Sequence, residues 1–235
     1  MTKKSKQNII SITSERITSL FARPVSVCIA TPEMFVAPLW QKEMESIAHA
    51  IQKRRREFTA GRTAARCALL ALGAKPGPIF VNSDRSPAWP SGFVGSISHC
   101  DGFCGAVVGR NRDVAGLGFD AELASPLSKE IAQLVYDGQE AAHFEQLPSL
   151  TKSDWGKLAF SAKEAFYKCY YPHTKTFIDF HDISIFFSID PSHDCGDFFV
   201  EMKEEAKRVK DHTFIGRWLL MEEMAFTGAV LTPEL

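Results

Sequence analysis

The chain has 235 residues, of which 45% are hydrophobic and 23% are charged, and its formal net charge is −1. This balance is ordinary for one large or two small globular domains with a sizeable core. A net charge so close to zero argues against bulk attraction to nucleic acid or to an anionic membrane, so recognition by charge has to be local. No apolar stretch approaches the length of a membrane span, and the run over 9–12 is too short for the core of a signal peptide.

Six cysteines are scattered along the sequence, at Cys28, Cys67, Cys100, Cys104, Cys169 and Cys195. Without a secretory signal, reduced thiols and a cytoplasmic location are the better interpretation. His99, Cys100 and Cys104 could also indicate zinc, but no second ligand pair stands at zinc-finger spacing.

The first half of the sequence begins with a strand and a helical region. Apolar residues alternate with small or polar ones over 24–30, which predicts a strand. Residues 38–72 have helical periodicity and predict one or two helices. Gly73 is suited to the left-handed conformation that often ends a helix, so we expect the helical region to close there.

A loop and a pair of strands complete this half. Residues 75–92 are rich in Pro, Gly, Ser and Asp, which predicts a surface loop. Residues 93–99 and 104–109 have strand character, and Asp101-Gly102 between them predicts a turn.

The second half begins with a predicted strand over 114–122. Ser125-Pro126 suits a helix N-cap and first helical position, and Asp137 with Glu140 resembles the capping box of a further helix.

A long helix and several strands follow. Residues 154–170 carry an apolar stripe at helical spacing, and Pro172 is expected to end that helix. Further strands are predicted at 183–189, 198–202, 214–221 and 225–231.

Both halves therefore have the order strand, long helix, antiparallel strands. This order predicts an α+β fold of two pseudo-repeated subdomains, each a small antiparallel-rich sheet with a long packing helix. We place the N-terminal subdomain at 1–112 and the C-terminal subdomain at 113–235. The cleft between them is the natural binding site.

The first chemical motif is Gly118-Phe119-Asp120-Ala121-Glu122. On a strand, residues two apart project to the same side, so Asp120 and Glu122 would form a carboxylate pair while Phe119 packs on the other side. A hard divalent cation is one reason to tolerate two adjacent like charges. The alternative is a solvated strand end.

The second motif lies on the long predicted helix, between Phe160 and Lys168. Glu164 and Lys168 are four residues apart, which fits either a surface ion pair or a metal ligand beside a phosphate-binding lysine. Lys163 is a second candidate for phosphate.

The third motif is a basic run over 53–66. On a helix, Arg54, Arg55 and Arg62 fall within a sector of roughly 100°. Converging guanidinium groups suit a phosphate, although a solvated basic face or a nuclear-localisation patch is the alternative.

The fourth motif runs from Trp89 to Cys100, where glycines and serines mark a strand that another group approaches closely. His99 follows two serines on this strand. It could donate a hydrogen bond to a phosphate or serve a structural role.

Together, in this order, the four motifs resemble the 4′-phosphopantetheinyl transferases of the large, monomeric class that activates surfactin and enterobactin synthetases. The matching pieces are R-R-x-E-F-x-x-x-R, W-P-x-G-x-x-G-S-x-S-H-C, G-x-D-x-E and F-x-A-K-E-A-x-Y-K, and they extend from about Lys53 to Lys175. Phe119 departs from the Ile or Val usual in the family, and we expect packing to absorb the change.

The resemblance implies a set of site residues. Asp120, Glu122 and Glu164 would bind Mg²⁺, with Mn²⁺ as an alternative ion, and together with Lys168 they would be the catalytic residues. Coenzyme A would be held by the N-terminal nucleotide site and a pantetheine channel of the C-terminal subdomain, through Arg54, Arg62, Arg85, Ser98, His99, Lys163, Lys168, Phe160, Tyr167 and Phe177.

The implied reaction is the transfer of phosphopantetheine from coenzyme A to a serine of an apo acyl or peptidyl carrier protein, with release of 3′,5′-ADP. Such a carrier is the implied partner, without nucleic acid or membrane, and the enzyme would be a cytoplasmic monomer. A Mg²⁺-dependent pyrophosphate hydrolase is the enzymatic alternative. An inactive module that binds coenzyme A or a carrier protein is the alternative from another class.

Overall fold

The structure, a computed structural model, describes residues 12–150, 153–190, 192, 194–203 and 214–232. Most of the apolar run over 9–12 lies outside this part of the chain. The helices are α1 (12–18), α2 (Gln41–Ser46), α3 (Gln52–Ala71), α4 (Lys129–Val135), α5 (Gly138–Phe144) and α6 (Trp155–Thr174). Short 3-10 turns lie at Pro32–Val36 and Phe180–Asp182.

The strands form two main antiparallel sheets and one small hairpin. The first sheet, in the order β1-β5-β4, contains β1 (Val25–Ile29), β4 (Phe93–Cys100) and β5 (Phe103–Arg110). The second, in the order β6-β10-β9-β8-β7, contains β6 (Gly116–Leu123), β7 (Ile183–Phe187), β8 (Cys195–Met202), β9 (Phe214–Met221) and β10 (Met224–Leu231). The hairpin pairs β2 (Phe80–Val81) with β3 (Pro87–Ala88).

Each main sheet carries one 20-residue helix, α3 on the first and α6 on the second. The predicted α+β fold with two similar halves is therefore confirmed. Helix α3 ends as predicted, with Gly73 in the left-handed region at φ 78°. The boundary expected at 112/113 lies in the connection between β5 and β6.

Three local predictions were wrong. The segment 75–92 contains the β2–β3 hairpin as well as loop. Helix α4 starts after Ser128, whose Oγ accepts a hydrogen bond from Ile131 N, so Ser125 is not its cap. Helix α6 continues past Pro172 to Thr174, because the proline lies in the last turn and the left-handed Lys175 then ends the helix.

One of the hydrophobic clusters contains residues of both halves. Phe119 is fully buried in it and packs against the rings of Phe21, Phe103 and Phe226, as its predicted direction requires. Leu20, which follows α1, also packs against β10, so the N-terminal helix contacts the C-terminal sheet.

Gly118 sets the distance between β6 and α6. A Cβ atom at this position would collide with the carbonyl oxygen of Ala165. The absence of a side chain therefore lets α6 lie directly on β6, which brings the polar face of the helix to the carboxylates of the strand.

Candidate functional site

Asp120 lies where the two halves meet. Only 3% of the residue is exposed, and its carboxylate accepts hydrogen bonds from Ser98 Oγ at 2.9 Å, Ser161 Oγ at 2.8 Å and Lys168 Nζ at 2.6 Å. Ser98 is itself buried and accepts from Ala121 N at 3.1 Å, so its hydroxyl orients Asp120. Donors from β4 and α6 thus fix a carboxylate of β6.

One face of α6 carries the other polar groups of this region: Lys157, Ser161, Glu164 and Lys168. Their spacing of four, three and four residues places them in line on the helix. Sequence reasoning singled out only the last two, although this spacing would have found Lys157 and Ser161. The face is turned toward the cleft and is not a solvated surface.

Glu122 and Glu164 both respond to the charge of Asp120. Burial raises the pKa of Glu122, and the negative Asp120 adds to the shift, while Lys157 Nζ at 3.5 Å opposes it. Burial likewise raises the pKa of Glu164, with Lys168 opposing and Asp120 adding. Across the residues that the structure describes, no three His, Cys, Asp or Glu side chains stand close enough together to hold a metal ion as they are.

A basic cavity of about 440 Å³ lies between α3, β4 and the hairpin. Arg54, Arg62, Arg85 and His99 all line it. Four residues that the resemblance assigns to coenzyme A binding, from three different parts of the sequence, are thus brought together in one place.

His99 and Arg54 are in direct contact, with Arg54 Nη1 2.9 Å from His99 Nε2. Because a guanidinium can only donate, Nε2 is the acceptor and the ring proton is on Nδ1, which lies 3.7 Å from Glu57. Burial lowers the pKa of His99, and the charges of Arg54 and Lys168 lower it further against the opposing effect of Glu57. His99 is therefore neutral when it receives this hydrogen bond.

Arg62 is the most enclosed cation of the basic cavity, with 6% of its surface exposed. Its Nε donates to Ile79 O at 3.0 Å and its guanidinium lies 4.6 Å from the centre of the Phe58 ring. Burial lowers its pKa to about 10, so it still carries its charge at neutral pH. Arg55, in contrast, donates to Ala50 O at 2.8 Å and does not line this cavity.

Two further cavities continue from the basic cavity. A central cavity of about 330 Å³ has Arg85, Trp89, Lys168 and Tyr167 in its walls. An aromatic groove of about 120 Å³ follows, lined by Tyr167, Phe177 and Phe180. Arg85 lines the first two cavities and Tyr167 lines the last two, so the three cavities adjoin one another in this order, with Lys168 in the wall of the central one.

The aromatic residues predicted for a pantetheine channel gather at this groove. Tyr167 and Phe177 have ring centres 6.0 Å apart, and Phe160 packs on Phe180 at 5.6 Å. Phe177 is 74% exposed, which leaves the outer end of the groove open.

Lys163 does not have the role expected of it. Only 1% of the residue is exposed, and Nζ donates to Glu140 Oε2 at 2.8 Å, Val135 O at 2.7 Å and Phe180 O at 2.8 Å. All three protons of the ammonium are used, so none remains for a phosphate. Lys163 is a structural residue that ties α6 to α4, α5 and the turn before β7.

No helix in the described part of the chain combines the length and apolar character that a membrane crossing needs.

Comparison with known proteins places these residues in a family. The profile of the 4′-phosphopantetheinyl transferase N-terminal domain matches residues 42–109, and that of the 4′-phosphopantetheinyl transferase superfamily matches 116–218. The chain is 36% identical over 207 residues to 4′-phosphopantetheinyl transferase Svp of Streptomyces mobaraensis, covering 86% of this chain and 82% of that protein.

Two other relatives agree. 4′-Phosphopantetheinyl transferase PptT of Mycobacterium tuberculosis is 35% identical over 194 residues, covering 81% of this chain and 85% of that protein. Enterobactin synthase component D of Salmonella typhi is 36% identical over 132 residues, covering 56% of this chain and 55% of that protein.

The expected resemblance is confirmed, which favours a transferase over the hydrolase and the inactive module. The chain belongs to the 4′-phosphopantetheinyl transferase superfamily and is an enzyme that transfers phosphopantetheine from coenzyme A to a carrier protein.

Proposed function

We propose that coenzyme A lies along the three cavities, with its nucleotide end in the basic cavity and its pantetheine arm in the aromatic groove. The observation that supports this proposal is the burial of Arg62 in the wall of a cavity that is also lined by Arg54, Arg85 and His99, which the resemblance assigns to coenzyme A binding. A buried cation is stable only when polar or anionic groups face it, and a phosphate of the nucleotide would add an anionic partner to the Ile79 carbonyl and the Phe58 ring. The diphosphate would then lie near Lys168, which lines the central cavity and pairs with Asp120.

We further propose that Asp120, Glu122 and Glu164 hold Mg²⁺ or, alternatively, Mn²⁺. Their oxygen-only donor set fits a hard cation, and the raised pKa values of Glu122 and Glu164 are what a nearby cation would relieve. Mg²⁺ commonly uses one or two carboxylates with water and substrate oxygens, so it does not require a ready-made cluster of three side chains. Bound there, the ion would neutralise charge on the diphosphate.

In the proposed mechanism the carrier serine hydroxyl attacks the β-phosphorus of coenzyme A. A bond forms between the serine oxygen and phosphorus, the bond from phosphorus to the oxygen of 3′,5′-ADP breaks, and the serine proton needs an acceptor. Glu164 is our candidate base, because it lines the aromatic groove beside the proposed position of the diphosphate. Lys168 would balance charge on the diphosphate, and the basic cavity would retain the leaving nucleotide.

The acceptor would be an apo acyl or peptidyl carrier protein. A monomer is favoured because residues of β4, β6 and α6 from a single chain complete the site. A cytoplasmic location is favoured because all six cysteines are free thiols in the structure. In this proposal the N-terminal subdomain, 1–112, binds the nucleotide, and the C-terminal subdomain, 113–235, holds the metal and the pantetheine arm.

The decisive experiment is intact mass spectrometry of several apo-carriers incubated with the enzyme and coenzyme A, with Mg²⁺, with Mn²⁺ or with EDTA. We expect each accepted carrier to gain one phosphopantetheine group, with release of 3′,5′-ADP, only when a divalent ion is present. Full transfer in EDTA would contradict the metal role. Free phosphopantetheine without carrier labelling would instead indicate hydrolysis.

A further inference from the structure

An ion pair joins the two halves of the protein at the central cavity. Lys175 Nζ lies 3.0 Å from Asp84 Oδ2. Asp84 lies in the turn of the β2–β3 hairpin, whereas Lys175 directly follows α6, and both line the central cavity. The contact thus connects two elements that both line the proposed coenzyme A path.

Each partner is held by its own element. Asp84 Oδ1 accepts hydrogen bonds from Ser86 N at 3.0 Å and from Ser86 Oγ, and these bonds, followed by Lys175, hold the pKa of Asp84 far below its usual range. Lys175 has φ 50°, its backbone N–H donates to Tyr171 O at 2.8 Å, and its ammonium lies 5.2 Å from the centre of the Tyr171 ring. Each side chain thus has a further contact within its own segment, which reduces the side-chain freedom that the pair has to fix.

Arg85 follows Asp84 and depends on the same turn. Its φ of 68° is uncommon for a residue with a side chain and persists only where the surroundings enforce it. Here the turn does so, through Arg85 N donating to Asn82 O at 2.9 Å and Asn82 Nδ2 donating to Ser86 Oγ at 3.0 Å. Arg85 lines both the basic and the central cavity, so a displaced hairpin would withdraw it from both.

We infer that Asp84 and Lys175 form a clasp that holds the β2–β3 hairpin against the end of α6 and thereby positions Arg85 for coenzyme A binding. The inference rests on the proposed path of coenzyme A. The clasp acts on substrate binding and not on the chemical step, because neither of its members reaches Asp120, Glu122 or Glu164.

A competing explanation is that Lys175 binds a phosphate directly and Asp84 merely competes for it. The two explanations predict opposite changes in the affinity for coenzyme A when Asp84 is replaced by Asn. Removal of a negative charge beside a site for an anionic substrate would strengthen coenzyme A binding if electrostatics alone decided the outcome. Loss of the clasp weakens binding, since the hairpin is released.

The test measures KM and kcat for coenzyme A, together with calorimetric affinity for coenzyme A in Mg²⁺, in D84N, K175M and the double variant D84N/K175M. We expect each single variant to raise KM about 3- to 10-fold, the range of a partly exposed ion pair with some loss of Arg85, with kcat within about twofold. The double variant should be no worse than the worse single variant, because either change opens the same clasp.

Arg16→Met is the matched control. It removes another partly exposed ion pair between distant segments, Arg16 with Asp194 at 3.1 Å, away from the three cavities, and KM should not change. A lower KM in D84N, or single effects that multiply in the double variant, would overturn the clasp. If the wild type labels no apo-carrier, the proposed function fails, and the clasp is then judged on calorimetric affinity alone.

Discussion

Ser98 Oγ donates a 2.9 Å hydrogen bond to Asp120 Oδ1 and thereby joins strand β4 of one half to strand β6 of the other. Ser96 makes a parallel contact, accepting from Phe119 N at 3.0 Å. Where the two sheets adjoin, β4 and β6 are thus joined by hydrogen bonds of serine side chains and not by backbone hydrogen bonds between paired strands. The central carboxylate of the site is oriented by a residue from the other half, so the site exists only when the halves are docked.

Asp120→Asn should abolish most transfer without unfolding the protein. The amide keeps the size of the carboxylate and can still accept a hydrogen bond from Ser98 or Ser161, but it loses the charge that pairs with Lys168 and that a metal needs. We expect the labelling rate of an apo-carrier to fall by about 100-fold or more and the melting temperature to change little. Asp120→Ala is the comparison, since it leaves buried donors unpaired at about 1–3 kcal/mol. Near-wild-type labelling by Asp120→Asn would remove Asp120 from the mechanism.

Substitutions of the two lysines of the K-E-A-x-Y-K motif should have different effects, one mainly on stability and the other mainly on activity. Lys163→Met removes the ammonium that pairs with Glu140, a residue that is 0% exposed. Breaking a buried ion pair in this way lowers the free energy of unfolding by about 3–5 kcal/mol. Lys168→Met should lower activity strongly with a smaller effect on stability, because Lys168 is only partly buried. Urea unfolding and labelling rates measured on both variants test this. Equal losses of stability would contradict the assignment.

Glu164→Gln should make the metal-free protein more stable at neutral pH. A carboxyl whose pKa is raised on folding binds its proton more tightly in the folded state than in the unfolded state. Its ionisation therefore destabilises the folded protein. This loss of stability appears as the pH rises from the ordinary carboxyl pKa of about 4.3 through the pKa of the folded state. The gain in melting temperature should therefore be present at pH 7 and vanish below about pH 4. Added Mg²⁺ should stabilise the wild type more than the variant. A gain that is constant with pH would show that the charge of Glu164 is not its cause.

Arg62→Met should weaken coenzyme A binding through the phosphate of the nucleotide end. Loss of one charge-assisted contact is worth about 1.5–3 kcal/mol, so KM should rise about 10- to 100-fold. The KM for 3′-dephospho-coenzyme A should change much less, if the basic cavity holds the 3′-phosphate. Arg112→Met, which removes an exposed guanidinium elsewhere, is the control. An equal rise in KM for both substrates would show that the basic cavity holds a part of coenzyme A other than the 3′-phosphate.

Much of the fold could be predicted from local patterns. The strands and the two long helices follow from apolar periodicity, and Gly73 and the Asp137 capping box set helix ends through local backbone geometry. Errors arose where local rules competed. Ser125-Pro126 has the composition of a helix start, yet Ser128 caps α4, and Pro172 is tolerated in the last turn of α6.

The spacing of Asp120, Glu122, Glu164 and Lys168 along one strand and one helix is a local property, so the sequence by itself determined these four positions. It did not single out Lys157, whose ammonium lies 3.5 Å from Glu122. It could not distinguish Lys163 from Lys168, which are both lysines on the same helix. Only the packing of α6 decided that the first ammonium is enclosed by Glu140 and two carbonyls while the second faces Asp120. Burial and long-range pairing depend on which surfaces meet, and the gathering of Arg54, Arg62, Arg85 and His99 around one cavity has the same tertiary origin.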